Sequence, residues 1–255
     1  MKSSVVALLS GLIIILGLEA MLLWPTLFLV PLIIINLAIF FSVFLLVREN
    51  NLRWRWIVFS ALPIIFINAL VVSCGLIPQI TLWNKILLQI IFFAAVYFFL
   101  FYIRNLWLYF NFPERPNNLD NFSFGMAIVT AFFCSSAIFG LQLFLSLPYL
   151  ILAVIIAAIL TLLVFCNLWM SRLFGLELWP LLLILFFLFI QIVWALYFLP
   201  FDYTVLSFVM TLVFYLALSL ARLDLRQMLN RHNLKPLLIY VGIVLLIILA
   251  TVRWH

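Results

Sequence analysis

Residues 178–199 read LWPLLLILFFLFIQIVWALYFL, and only Pro180 and Gln191 interrupt their apolar character. A hydrocarbon layer of about 30 Å is crossed by about 20 consecutive apolar residues in a helix. A membrane β-barrel would instead show segments of about ten residues in which polar and apolar side chains alternate. The nearly continuous apolar run therefore predicts a transmembrane helix, which satisfies its backbone polar groups by hydrogen bonds within the segment.

The composition of the whole chain agrees with this stretch. Of its 255 residues, 70% are hydrophobic and 8% are charged, whereas average proteins are about 45–50% apolar and about 25% charged. A soluble domain of this length cannot bury so much apolar surface, because folding hides roughly three quarters of the surface of such a chain. A soluble globular enzyme, a disordered chain and a disulfide scaffold are therefore excluded. We expect an all-α, polytopic transmembrane helical bundle that forms one integral membrane domain over residues 1–255.

Nine segments of suitable length follow one another along the chain. The division between the first two rests on Trp24 and Pro25, because the residue before proline is displaced from the helical region and tryptophan favours the membrane interface. The predicted spans are residues 4–23, 26–47, 56–77, 85–104, 122–145, 149–171, 178–199, 203–221 and 236–252. Leu18-Glu19-Ala20 is a poor signal-peptidase site, so we expect the first segment to be an uncleaved anchor.

The segment between the last two spans has an amphipathic pattern. Leu225, Met228 and Leu229 share one helical face within residues 222–235, where four basic residues also occur. Apolar residues at this spacing line one side of a helix. The pattern predicts a short helix that lies in the membrane interface.

The basic residues are distributed unevenly between the two sides of the spans. With the amino terminus in the cytoplasm, Lys85 and Arg253 fall outside, and the other eleven of the 13 Lys and Arg residues fall inside. Short cytoplasmic loops retain Lys and Arg, so we expect an N-in, C-out protein of the plasma (inner) membrane. The net charge of +6 then reflects topology and attraction to anionic lipid headgroups rather than nucleic-acid binding.

Similar residues recur at a nearly constant separation in the two halves of the chain. Pro25 and Pro148 are 123 residues apart, and so are Asn68 and Gln191. Tandem duplication of a four-helix unit predicts this spacing and leaves the ninth helix as an addition, which gives a 4+4+1 repeat. Because four is even, both units would enter the membrane in the same orientation, so the repeat is parallel. The same pattern can arise without duplication, because turns between helices favour proline and the inner ends of membrane helices favour arginine. The corresponding parts would be residues 1–121, residues 122–235 and an extra helix at residues 236–252.

Amide side chains supply the polar groups predicted nearest the middle of the membrane. Asn36, Asn68 and Gln191 fall near the centres of their spans. They could form a polar patch that contacts a substrate at the midplane. They could instead hydrogen-bond between helices, which is worth about 0.6 kcal/mol on average in a membrane. We favour hydrogen bonding between helices.

Three charged residues are predicted near the outer ends of the spans: Glu19, Lys85 and Asp202. An acid within a membrane segment is a functional candidate by default, and Glu19 lies five residues, about 7.5 Å of helix, before Trp24. Glu19 could line an outward-facing cavity, or it could reach the interface or pair with Lys85. Asp202 precedes an apolar run and is predicted to be the N-cap of the next helix.

Cations cluster at the predicted inner ends of the spans. A juxtamembrane cation is attracted to anionic lipid by about 1 kcal/mol. The residues predicted to contact anionic headgroups are Arg48, Arg53, Arg55, Arg222, Arg226, Arg231 and Lys235. Positive-inside anchoring without specific recognition explains the same residues.

The sequence lacks the motifs of common enzyme chemistry. It contains no His-Glu-x-x-His zinc motif and no Gly-x-Ser-x-Gly elbow, and Cys74, Cys134 and Cys166 have no metal-ligand spacing. We expect no catalytic residue, no metal and no cofactor. The favoured function is a non-catalytic scaffold or assembly subunit that packs against lipids, other membrane proteins or further copies of itself. The alternative is a transporter or flippase for a lipid or small apolar solute, and an intramembrane enzyme is the least favoured.

Overall fold

The part of the chain that the structure describes consists of helices and short turns. A computed structural model describes residues 2–48, 55–77, 81–112, 119–145, 148–173, 175 and 178–251. Within these residues nine helices are long and apolar enough to cross a membrane, and no strand is present. The prediction of an all-α, multi-pass membrane architecture is confirmed.

The helices follow the predicted spans and extend beyond several of them. They are α1 Lys2–Leu23, α2 Leu29–Arg48, α3 Arg55–Gly75, α4 Leu82–Asn111, α5 Leu119–Leu145, α6 Tyr149–Met170, α7 Leu178–Tyr197, α8 Tyr203–Leu225 and α9 Arg231–Thr251. The largest difference is in α4, which has 30 residues and is therefore about 45 Å long. Since hydrocarbon is about 30 Å thick, an end of α4 projects beyond the hydrocarbon layer.

The break predicted at Trp24 and Pro25 is present. The Trp24 N–H donates to the Ala20 carbonyl at 2.9 Å, which closes the last turn of α1, and residues Pro25–Leu27 form one 3-10 turn. Proline has no N–H and clashes with a preceding helical turn, so α1 cannot continue into α2. Pro31 lies in the first turn of α2, where a missing N–H is tolerated.

The prediction of an interfacial helix over residues 222–235 is wrong. Residues through Leu225 extend α8, and residues from Arg231 begin α9. Between them Gln227 has a φ of 55°. The Gln227 and Met228 N–H groups donate to the carbonyls of Asp224 and Leu223, at 2.8 and 2.9 Å. This pair of bonds is a Schellman motif, which satisfies the last carbonyls of α8 and ends the helix.

The chain forms two compact units, Met1–Met126 and Ala127–His255, and the division falls within α5. In the first unit α1 packs against α2 and α4, and α2, α3 and α4 contact one another. In the second unit α6, α7 and α8 contact one another, and α9 packs against α8. Each interior is apolar: Ile35, Ile39 and Phe99 are fully buried in the first unit, and Phe189 and Phe214 in the second.

Candidate functional site

Two of the three predicted midplane amides form a reciprocal hydrogen-bonded pair. Asn36 Nδ2 donates to Asn68 Oδ1 at 3.1 Å, and Asn68 Nδ2 donates to Asn36 Oδ1 at 2.9 Å. Asn68 Nδ2 also donates to the carbonyl of Ile64 at 2.7 Å, within its own helix. Each residue lies seven positions, about 10.5 Å, from the nearer end of its helix. The pair therefore joins α2 to α3 well inside the apolar layer.

We expect the Asn36–Asn68 pair to couple energetically in a double-mutant cycle. Asn36→Leu and Asn68→Leu each remove the reciprocal bonds, so the loss in the double variant should be smaller than the sum of the two single losses. The expected coupling is about 0.6–1.7 kcal/mol, the range for hydrogen bonds between membrane helices. The measurement is the free energy of unfolding in mixed detergent micelles. Strictly additive losses would contradict a structural role for the pair.

Gln191, the third predicted midplane amide, belongs to a different unit from the Asn36–Asn68 pair. It belongs to α7 in the second unit, whereas Asn36 and Asn68 belong to the first. Its side chain is exposed, and no hydrogen bond joins it to another side chain or to the backbone in the described part of the chain. The structure therefore describes one amide pair in the first unit and one exposed amide in the second.

Glu19 accepts a hydrogen bond from α4. Gln89 Nε2 donates to Glu19 Oε2 at 3.0 Å, across the contact between α1 and α4. Lys85 is exposed one turn earlier in α4, and no ion pair links it to Glu19 among the described contacts. The partner of the carboxylate is thus the Gln89 amide rather than Lys85.

Asp202 occupies the predicted N-cap position of α8 but uses its side chain differently. Its backbone is extended, and its carbonyl accepts from the Leu206 N–H at 3.1 Å, as the first bond of the helix. Its carboxylate accepts from the Thr204 hydroxyl at 2.6 Å and makes no cap bond to a backbone N–H. Asp202 therefore begins α8 through its backbone carbonyl, while its exposed carboxylate contacts Thr204 and does not cap the helix.

A buried polar cluster, Asn167–Ser171–Arg222, joins the carboxyl ends of α6 and α8. Arg222 Nε and Nη2 donate to Asn167 Oδ1 at 3.0 and 2.6 Å, and Nη2 also donates to Ser171 Oγ at 3.0 Å. Ser171 is the C-cap of α6, and its hydroxyl donates to the Asn167 carbonyl at 2.9 Å. The partial negative charge at a helix carboxyl end favours a cation there. The cluster therefore places a guanidinium where α6 ends.

The predicted lipid-contacting cations are not equivalent in the structure. Arg222 is only 9% exposed, because it lies on the same face of α8 as the buried Phe214 and Leu218. That four-residue spacing in the sequence was the signal that could have assigned Arg222 to the interior. Arg226, Arg231 and Lys235 are exposed. Arg48 ends α2 and Arg55 begins α3, while Arg53 lies outside the described residues.

An open apolar groove runs between α6 and α7. Its volume is about 880 Å³, within the range of about 300–1,000 Å³ that is typical of small-molecule sites. Its lining includes Phe165 from α6, and Trp179, Leu183 and Phe187 from α7. The hydroxyl of Thr161, which also lines the groove, is buried without a hydrogen-bond partner in the described structure. The groove therefore presents an almost entirely apolar surface.

The described residues do not bring together a set of metal ligands. No group of three or more His, Cys, Asp or Glu side chains within them could hold a metal ion. Cys74, Cys134 and Cys166 are buried and form no disulfide. Polar side chains join helices in the described residues where Asn36 contacts Asn68, Glu19 contacts Gln89, and Arg222 contacts Asn167 and Ser171.

Comparison of the chain with protein-family models, with curated proteins and with solved structures finds no match.

Proposed function

We propose that this protein is a non-catalytic scaffold or assembly subunit of a membrane. The observation that carries the proposal is the Asn36–Asn68 pair, in which each amide is both donor and acceptor to the other. A substrate site at the midplane would need these groups free to bind a ligand, whereas here they hold α2 to α3. This arrangement supports a structural role for the polar groups at mid-depth.

The outward-facing surface of the helices supports packing against other membrane components. In the most apolar stretch of each helix, only 28% of the residues of α1, 28% of those of α7 and 6% of those of α9 are buried. Helices in lipid associate through van der Waals packing and interhelical hydrogen bonds rather than through the hydrophobic effect. Such exposed helices offer long surfaces of the kind that a scaffold presents to neighbouring membrane proteins or lipids.

The proposed orientation is N-in and C-out in the plasma membrane. Arg226, Arg231 and Lys235 are exposed in and beside the turn between α8 and α9, where cations would attract anionic headgroups of the cytoplasmic leaflet. Arg172 is exposed after α6. The Arg222 contact with Asn167 and Ser171 joins the ends of α6 and α8, so these cations belong to one end of the second unit. This grouping supports the positive-inside argument.

The proposed 4+4+1 repeat also has support from the helix contacts. In the first unit α2, α3 and α4 contact one another in all three pairs. In the second unit the corresponding helices α6, α7 and α8 do the same. A duplicated four-helix unit predicts this correspondence between α2–α4 and α6–α8, and leaves α9 as the additional helix.

The assembly role is tested by isolating the tagged protein from its native membrane in a mild detergent. We expect a stoichiometric membrane-protein partner or a defined set of lipids, identified by mass spectrometry. An equally hydrophobic tagged membrane protein of unrelated sequence, isolated in parallel, controls for unspecific recovery. If the purified protein instead moved a labelled phospholipid between the leaflets of proteoliposomes, the scaffold proposal would be overturned in favour of a lipid flippase, for which the α6–α7 groove offers an apolar surface.

A further inference from the structure

An outward-facing stripe on α7 combines apolar side chains with one amide. Leu183, Phe187 and Gln191 follow one another at four-residue intervals, so they lie on the same helix face. Leu183 is 60% exposed and Phe187 is 55% exposed, and Gln191 is exposed as well. The stripe is therefore a continuous surface, and its only strongly polar group is the Gln191 amide.

The position of Gln191 along α7 places its amide within hydrocarbon. It lies six residues, about 9 Å, before Tyr197 at the end of the helix. It lies twelve residues, about 18 Å, after Trp179 near the beginning. Trp and Tyr favour the two membrane interfaces, so the amide lies between them in the apolar layer. A polar group without a hydrogen-bond partner costs several kcal/mol there.

The groove between α6 and α7 continues this surface towards the other end of the helix. Leu183 and Phe187 belong to both the stripe and the groove lining. A helix that packed along the stripe could insert side chains into the groove while a polar group at its own mid-depth met Gln191. The α7 surface therefore has both the shape and the polar group that contacts between membrane helices use.

We infer that this α7 surface is the interface at which a second copy of the chain binds, with the Gln191 amides of the two copies hydrogen-bonded to each other. Both copies insert in the same orientation, so a two-fold axis along the membrane normal brings the same residue of each copy to the same depth. A primary amide is self-complementary, since it carries both donors and an acceptor. The Asn36–Asn68 pair shows that arrangement within this chain.

The inference deepens the proposed assembly role, on which it rests, by naming one partner. A different membrane protein or a lipid on the same surface is an alternative that the test must exclude. The two-fold dimer requires one contact that neither a different membrane protein nor a lipid would produce. A residue near the axis must contact its own counterpart in the second copy.

Oxidative cross-linking of Phe187→Cys in the native membrane tests this contact, because Phe187 is 55% exposed one turn from Gln191 and the variant keeps the Gln191 amide. We expect a covalent homodimer, which a reducing agent converts back to monomer. Ile247→Cys, on the exposed face of α9 and 57% exposed, is the matched control and should remain monomeric, as should the native sequence with its buried cysteines. Absence of the Phe187→Cys dimer, equal cross-linking at Ile247→Cys, or cross-linking to a different protein would overturn the inference.

A second variant separates the hydrogen bond from the apolar packing. Gln191→Leu removes the amide and keeps an apolar side chain on the stripe, so the helix should still insert and fold. We expect the dimerisation constant in liposomes to fall about 5- to 30-fold, as the loss of an interhelical amide bond predicts. The measurement is single-molecule photobleaching over a range of protein-to-lipid ratios. An unchanged dimerisation constant would show that Gln191 does not contribute to the interface. Recovery of another partner without any homodimer would refute this interface, while the proposed assembly role would still hold.

Discussion

Replacing Arg222 with methionine is expected to lower the free energy of unfolding by about 1.5–3 kcal/mol, the contribution of hydrogen bonds to a charged group. Methionine is unbranched and apolar, so it fills part of the same space but donates no hydrogen bond. Asn167 is fully buried and would lose both bonds that it accepts from the guanidinium. The measurement is the unfolding equilibrium in mixed detergent micelles, followed by circular dichroism.

Two further variants identify the cause of the expected loss. Arg231→Met removes an exposed arginine from the first turn of α9 and should change stability by less than about 0.5 kcal/mol. Combining Arg222→Met with Asn167→Leu should recover part of the loss, because it also removes the buried amide oxygen that Arg222→Met leaves without the guanidinium. Equal losses for Arg222→Met and Arg231→Met would refute a specific role for the buried cluster.

Replacing Gly17 with alanine is expected to loosen the contact between α1 and α2. A Cβ at this position would lie 2.7 Å from Cγ1 and 2.8 Å from Cδ1 of Ile35. Ile35 is fully buried and β-branched, so its side chain has little freedom to move away. Overpacking of this kind costs about 1–3 kcal/mol, measured as the loss of unfolding free energy in mixed micelles.

Gly242→Ala in α9 is the matched control for this substitution. A Cβ there would meet no atom within 4 Å. Both variants gain the higher helix propensity of alanine, about 1 kcal/mol, so the difference between them isolates the steric effect. If Gly17→Ala were as stable as Gly242→Ala, the close approach of α1 to α2 at Gly17 would not determine how these helices pack.

The helices could be predicted because hydrocarbon thickness constrains their length and because proline interrupts them. Trp24 and Pro25 separate α1 from α2 as expected. The last span was predicted to begin at residue 236, whereas α9 begins at Arg231. Local hydrogen bonds decide such ends: the Leu234 N–H donates to the Asn230 carbonyl at 3.0 Å, a turn before the apolar run becomes continuous.

The partners of polar side chains could be predicted only in part. Two midplane amides on neighbouring helices, Asn36 and Asn68, were expected to bond between helices, and the structure brings them together. Glu19 was considered as a partner for Lys85, but it accepts from Gln89. Lys85 and Gln89 are four residues apart and thus on one face of α4. The exposed lysine can keep its charge hydrated, while the amide one turn deeper reaches the carboxylate.

The amino-acid sequence by itself determined that this chain is a series of apolar helices with cations at their ends. Those properties depend on the local run of residues and on the thickness of lipid, and both can be read without a neighbour. Only the tertiary structure decided which way each side chain faces. Helices that are apolar on nearly every side carry little periodicity to orient them. Packing against neighbours therefore turned Arg222 inward to Asn167, paired Asn36 with Asn68, and left Gln191 on the outer face of α7.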